Sequence, residues 1–138
     1  MTAVTGPANV QLVSDLGADR VIDYTRTDVT TLPERFDVVL DTVGNLTTAT
    51  GRQLLAPGGV VLLAAADLWQ LLTARGDVRA GAAPERAQDI ELLLGMVEAG
   101  TLRVVIDQVH PLPLIAEGYR RIDSGRKVGN VVVRPQRP

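Results

Sequence analysis

The stretch FDVVLDTVG, residues 36–44, decides how this chain folds. Its centre, Val38-Val39-Leu40, is continuously apolar rather than alternating. That pattern suits a strand covered on both faces, as in a parallel sheet. Thr42-Val43-Gly44-Asn45 reads as the turn after the strand, and Leu46 to Leu55 as a helix diluted by threonines and Gly51. Ala56-Pro57-Gly58-Gly59 punctuates, and Val60 to Ala64 is a second buried strand.

Working outward, Thr2 to Thr5 reads as a strand and Asn9 to Leu16 as a helix, with Val10, Val13 and Leu16 at helical spacing. Asn9 suits an N-cap and Gly17 a left-handed stop. Arg20 to Tyr24 is a short strand, and Thr25 to Arg35 a loop with room for a helical turn. Asp67 to Ala74 is expected to be helical, and Arg75 to Ala83 has no period and reads as loop. Pro84 suits a first helical position before the apolar stripe Ile90, Leu93, Leu94 and Val97, which ends at Gly100. Val104 to Ile106 reads as a strand that Gln108 to Pro113 carries into a turn, Ile115, Tyr119 and Ile122 mark a helix, and Val131 to Val133 a last strand. The order β-α-β-β-α-β-α-α-β-α-β, through residue 64, is half of a doubly wound α/β sheet.

Composition narrows the function classes. The 138 residues carry a net charge of −2 with no basic run, which argues against a nucleic-acid partner. Aromatic residues make up 3%, so the core is expected from Val, Leu, Ile and Ala. There is no cysteine, hence no disulfide, thiol nucleophile or Cys-ligated zinc, and no metal site is expected. No apolar run is long enough to span a bilayer, and the N-terminus lacks the pattern of a secretion signal. The expectation is a protein with no membrane partner and a cytoplasmic location.

Five phrases now carry a resemblance: LGADRVIDYT (16–25), FDVVLDTVG (36–44), LLAPGGVVLL (54–63), VEAGTLRVVIDQVHPL (97–112) and DSGRKVGNVVV (123–133). In this order they resemble the C-terminal part of a medium-chain dehydrogenase/reductase, in the zinc-independent quinone-oxidoreductase and enoyl-reductase branch. The resemblance runs from about Thr2 to Arg134. It implies an incomplete Rossmann-like, mostly parallel sheet with flanking helices, lacking the first βα unit. Residues 1–100 would form a partial dinucleotide-binding domain. Residues 101–138 would be a tail that in relatives packs on a GroES-like catalytic domain. The glycine fingerprint that lets a backbone approach a pyrophosphate would precede Met1, and no G-x-G-x-x-G occurs in the chain. Strand 1 is central in the order 3-2-1-4-5-6. The strands at 2–5 and 36–41 are therefore expected to pair with each other, to find another chain in a homodimer that completes the sheet, or to stand as exposed edges.

The resemblance also names cofactor-binding candidates for NADP or NAD. Thr5, Gly6 and Asn9 lie where relatives meet the adenosine ribose and its 2′-phosphate, and Asn9 stands at the position of a lysine. Tyr24 matches a residue at the adenosine phosphate end; its other reading is a half-buried strand-end residue. Thr42, Val43 and Gly44 would pass the nicotinamide ribose, or else form an ordinary βα turn in which Gly44 supplies a positive φ. Ala64 and Ala65 would leave room for cofactor at the same edge, or simply pack tightly. Asp41 reads as a strand-end carboxylate bonded to backbone N–H groups, His110 as structural or surface, and Trp69 as a core or interface anchor. Asn130 stands where many relatives carry Gly-Lys, and 76–83 where relatives carry an apolar edge strand. Catalytic residues are unknown at this level.

Two functions follow. One is an NAD(P)H-dependent reductase of a quinone, enone or carbonyl, expected to be truncated and to oxidise no NADPH with common quinones on its own. The alternative is a non-catalytic remnant or dimerising interaction domain.

Overall fold

The computed structural model describes residues 1–81, 84 and 86–135, and the chain divides into two compact units, Met1–Pro84 and Glu85–Pro138. In the first, β1 (Thr2–Thr5) runs through a 3-10 turn at Pro7–Asn9 and helix α1 (Val10–Asp15) to β2 (Arg20–Asp23), which pairs parallel to β1. A second 3-10 turn at Val29–Thr31 leads to β3 (Phe36–Asp41), α2 (Thr48–Gln53), β4 (Leu55–Leu63), α3 (Leu68–Thr73) and β5 (Val78–Ala80). These three strands form a parallel sheet in the order β3-β4-β5. The fold is α/β with parallel sheets and flanking helices, as the sequence leads one to expect.

The first unit's core has two parts. Ile22, Leu32 and Leu54 pack with Val29, Phe36 and Val39. Val61, Leu63 and Val78 pack with Val39, Leu55, Ala66, Ala74 and Ala80. Val39 belongs to both, so one β3 side chain ties the β2 side to the β4-β5 side. Gly51 lets α2 sit on the sheet: a Cβ there would lie 3.1 Å from both Val61 methyls.

The sequence reading needs correction at several points. β3 is covered on one face only, for Val39 points into the core while Val38 and Leu40 are 54% and 60% exposed. Successive strand side chains point to opposite faces, and α2 fills only one of them. Of the outcomes left open for β1 and β3, they do not pair with each other; β1 meets β2, β3 meets β4, and among the described residues each keeps a free edge. The AP-GG break does not separate a helix from a strand. β4 runs through it, and its pairing with β3 jumps from Phe36↔Leu55 to Val38↔Val60, so the extra residues loop out with Gly58 at φ +82°. The stretch expected as loop contains β5, because Val78 buries its side chain and pairs with Val61. Asn9 holds the cap position of α1 but makes no side-chain capping bond, the chain entering through the 3-10 turn with Pro7 at its start.

The second unit contains α4 (Ala87–Glu98), β6 (Ile106–Pro111), a 3-10 turn at Leu112–Leu114, α5 (Ile115–Asp123) and β7 (Asn130–Arg134). Pro84 does not open α4, which starts at Ala87 after an extended Arg86. β6 lies further along than the Val104–Ile106 run, because its register is set by β7: Ile106↔Asn130, then Gln108↔Val131 through Pro111↔Arg134. α5 lies on this parallel pair, with Gly118 close enough to Val131 that a Cβ would approach its methyl to 3.3 Å. Asp107 on β6 receives two hydrogen bonds from Arg121 of α5, at 2.6 and 3.0 Å. The guanidinium holds the Asp107 carboxyl below the usual carboxylate range.

Candidate functional site

Two groups of side chains and turns gather at the carboxyl ends of the first unit's strands, the edge where parallel α/β sheets bind ligands. The first lies after β1 and β2. Thr5 ends β1 and its carbonyl accepts from the Tyr24 N–H at 3.2 Å. Gly6 follows, with the Tyr24 ring laid over it: a Cβ on Gly6 would sit 3.2 Å from the phenol oxygen. Asn9 is half-buried at the start of α1. Tyr24 is 61% exposed, more open than the half-buried strand-end reading. The structure thus brings Thr5, Gly6 and Tyr24 together, and the phenol hydroxyl has no hydrogen-bond partner among the described residues.

The second group lies after β3 and β4. Asp41, 7% exposed, turns its carboxylate back on its own chain. Oδ1 accepts from the Val43 and Gly44 N–H groups at 2.9 Å, and Oδ2 from the Leu46 N–H at 2.8 Å. Burial opposes the charge, but the N–H groups of Leu46, Val43, Gly44 and Asn45 outweigh it and lower the carboxyl pKa. The reading of Asp41 as a strand-end carboxylate bonded to backbone is what the structure shows. These donors are occupied by the protein's own anion. The N–H groups of Val43, Gly44 and Leu46 are therefore not available to an incoming anion, and the side chain the turn offers is the Thr42 hydroxyl, which can donate or accept.

Gly44 has φ +85°, and a Cβ there would lie 2.7 Å from the Ala65 carbonyl oxygen. Only glycine lets the turn after β3 approach the turn after β4 so closely. The Asp41 carbonyl also accepts from the Ala64 N–H at 2.9 Å. Thr42, Val43, Gly44, Ala64 and Ala65 therefore form one ledge. Sequence reasoning missed Gln70, whose side-chain amide donates to the Leu46 carbonyl at 2.9 Å. The available signal was the D-x-x-Q spacing of Asp67 and Gln70, which here is a capping box on α3.

The remaining candidates stand apart. Trp69 is 73% exposed and is not in the core of its unit. Within α3 the half-buried residues are Gln70 and Thr73, which share one face at i, i+3 spacing, and Trp69 lies off that face. In the second unit His110 contacts Gln108 at 3.1 Å, and Asn130 bonds the Val105 carbonyl through its backbone N–H at 2.8 Å.

Parallel strands joined through helices, with turns collected at their carboxyl ends, define a Rossmann-like α/β sheet. A family model described as zinc-binding dehydrogenase matches residues 16–133. The chain belongs to that family and corresponds to the C-terminal part of the medium-chain dehydrogenase/reductases. It is 28% identical to the NADPH-dependent alkenal/one oxidoreductase, chloroplastic, of Arabidopsis thaliana, over 98% of this chain and 33% of that protein. It is 29% identical to the trans-enoyl reductase pgmF of Aspergillus terreus, over 97% of this chain and 44% of that protein. The quinone oxidoreductase from Coxiella burnetii shares the fold, with a TM-score of 0.76 at 18% identity, over 96% of this chain and 44% of that one. The chain thus spans from about a third to under half the length of these relatives.

The family's description implies zinc. Among the described residues no three His, Cys, Asp or Glu side chains gather to hold a metal ion, and the chain has no cysteine. The described residues do not fit a zinc site. No helix among them is long and apolar enough to cross a membrane.

Proposed function

We propose that this chain is the dinucleotide-binding part of an NAD(P)H-dependent oxidoreductase that reduces a quinone, an enone or another small carbonyl compound. The observation that carries the reading is the ledge made by Gly44 against Ala65 at the strands' carboxyl ends. A nicotinamide ribose laid along such a ledge would present its hydroxyls to the Thr42 hydroxyl. Thr5, Gly6, Asn9 and Tyr24 would meet the adenosine end, with the Tyr24 hydroxyl and Asn9 amide supplying neutral hydrogen bonds. A bound NAD(P)H supplies the hydride, and this chain's residues orient it. Residues 1–100 would serve the cofactor, and 101–138 would form the tail that in relatives packs on the catalytic domain. A cytoplasmic location belongs to the same proposal.

Isothermal titration calorimetry with NADH and NADPH tests it. Micromolar binding of either supports the reading; heat indistinguishable from dilution for both overturns it for this chain. No NADPH oxidation with quinones above a buffer blank is expected from these residues alone.

A second reading is favoured by the free edges of β1 and β3 and the bare Val38 and Leu40. On it the chain is a non-catalytic domain that associates with a second copy through those strands. Light scattering at rising concentration distinguishes the two, because this reading requires a dimer that a lysine at position 38 disperses.

A further inference from the structure

We infer that Gln70 is a positioning residue, a clamp that sets the spacing between the two turns forming the ledge. Its side chain works in two directions at once. Oε1 accepts from the Asp67 N–H at 3.0 Å, which seats the amide at the start of α3. Nε2 donates to the Leu46 carbonyl at 2.9 Å, across 24 residues of sequence, and fixes the far end of the turn that Asp41 holds from within. Asp67 in return accepts from the Gln70 N–H at 2.7 Å, so the rotamer is set before it reaches Leu46. Gln70 is half-buried, as is Leu46, which limits water's competition for the bond.

The ledge is thus tied at three points: Asp41 carbonyl to Ala64 N–H, Gly44 against Ala65, and Gln70 to Leu46. The first two belong to strand and turn backbone. Gln70 supplies the only one of the three made by a side chain reaching from one turn to the other. A capping box needs an acceptor at position 70, and glutamate serves as well as glutamine. The donor to Leu46 requires the amide. That difference separates the clamp from the cap.

The test compares amide hydrogen exchange at Val43, Gly44 and Leu46 in the unliganded full chain and in Gln70→Glu, Gln70→Met and Asp67→Ala. Gln70→Glu keeps the cap and loses the donor. Exchange at these amides is expected to quicken about tenfold while the melting temperature stays near that of the parent. Asp67→Ala loses most of the cap and keeps the donor. Its melting temperature should drop, with exchange at these amides quickening no more than elsewhere in the unit. Gln70→Met should show both effects. Equal exchange in Gln70→Glu and the parent, or an increase in Asp67→Ala confined to these amides and as large as in Gln70→Glu, overturns the clamp. The consequence for cofactor rests on the proposed function: NADPH affinity should fall about fivefold in the neutral Gln70→Met variant. Failure of the parent chain to bind NADPH counts against that function and leaves the exchange result to decide the clamp.

Discussion

At the scale of the residue, Asp41 and Gly44 shape the candidate site more than any group that faces out of it. Asp41 holds three backbone N–H groups through a charge, so Asp41→Asn should cost about 1–3 kcal/mol in urea denaturation. Its pKa is lowered in the folded protein, and so is that of Asp107 beside Arg121. A group with a depressed folded pKa stabilises the fold above its unfolded value of about 3.9, and that stabilisation fades as pH falls through the folded value. The urea midpoint should therefore be flat down to about pH 5 and drop below about pH 4, and Asp41→Asn should make the drop shallower. Gly44→Ala combines an unfavourable φ of +85° with a backbone collision at Ala65. It should destabilise by at least about 1 kcal/mol and weaken NADPH binding, both measurable on the same sample.

Elements show where sequence was legible and where it was not. β3 could be read because its apolar run is local, and Asp41 could be read because its partners lie within five residues. β5 could not, since only Val78 buries a side chain and the rest of the strand is defined by pairing with β4. The position of β6 is hidden for a related reason. The local apolar run is Val104-Val105, yet the strand includes Asp107, whose charge is answered by Arg121 on a later helix. Gln70 was invisible because its partner is a carbonyl, which has no side-chain signature. One-sided cover of β3 also escaped, because an apolar run does not say whether both faces find partners. It can be checked directly. Leu54→Ala, at a buried position, should cost about 2–5 kcal/mol, whereas Leu40→Ala on the open face should stay within about 0.5 kcal/mol. Equal losses on chemical denaturation would show that Leu40 is covered in solution.

As a whole molecule, the chain is two units with unequal means of support. The first has two linked apolar clusters and closes them with parallel strands. The second rests on a two-stranded parallel pair and one helix, with Ile90, Leu92, Leu93 and Leu94 of α4 largely exposed. A two-stranded pair is marginal in water unless a helix buries its apolar face, and none of this unit's apolar side chains is fully buried among the described residues. A fragment of residues 85–138 should therefore show no cooperative thermal transition by circular dichroism, while residues 1–84 should retain one. Family membership speaks to ancestry and architecture. On the proposed function, cofactor binding turns on the ledge of the first unit.

The outlooped residues of β4 have a consequence of another kind. Pairing with β3 is interrupted between Leu55 and Val60, then resumes residue for residue to Leu63. A length change within the interruption would be absorbed there. It would not rotate Val61 and Leu63 out of the core, as a one-residue slip in an uninterrupted strand does. A Cβ on Gly58 would meet nothing within 4 Å, so the interruption opens to space at Gly58, whereas a Cβ on Gly59 would strike the Phe36 carbonyl at 2.8 Å. It is therefore the natural place to splice in a peptide tag or reporter, because the strand keeps its phase on the side that builds the ledge.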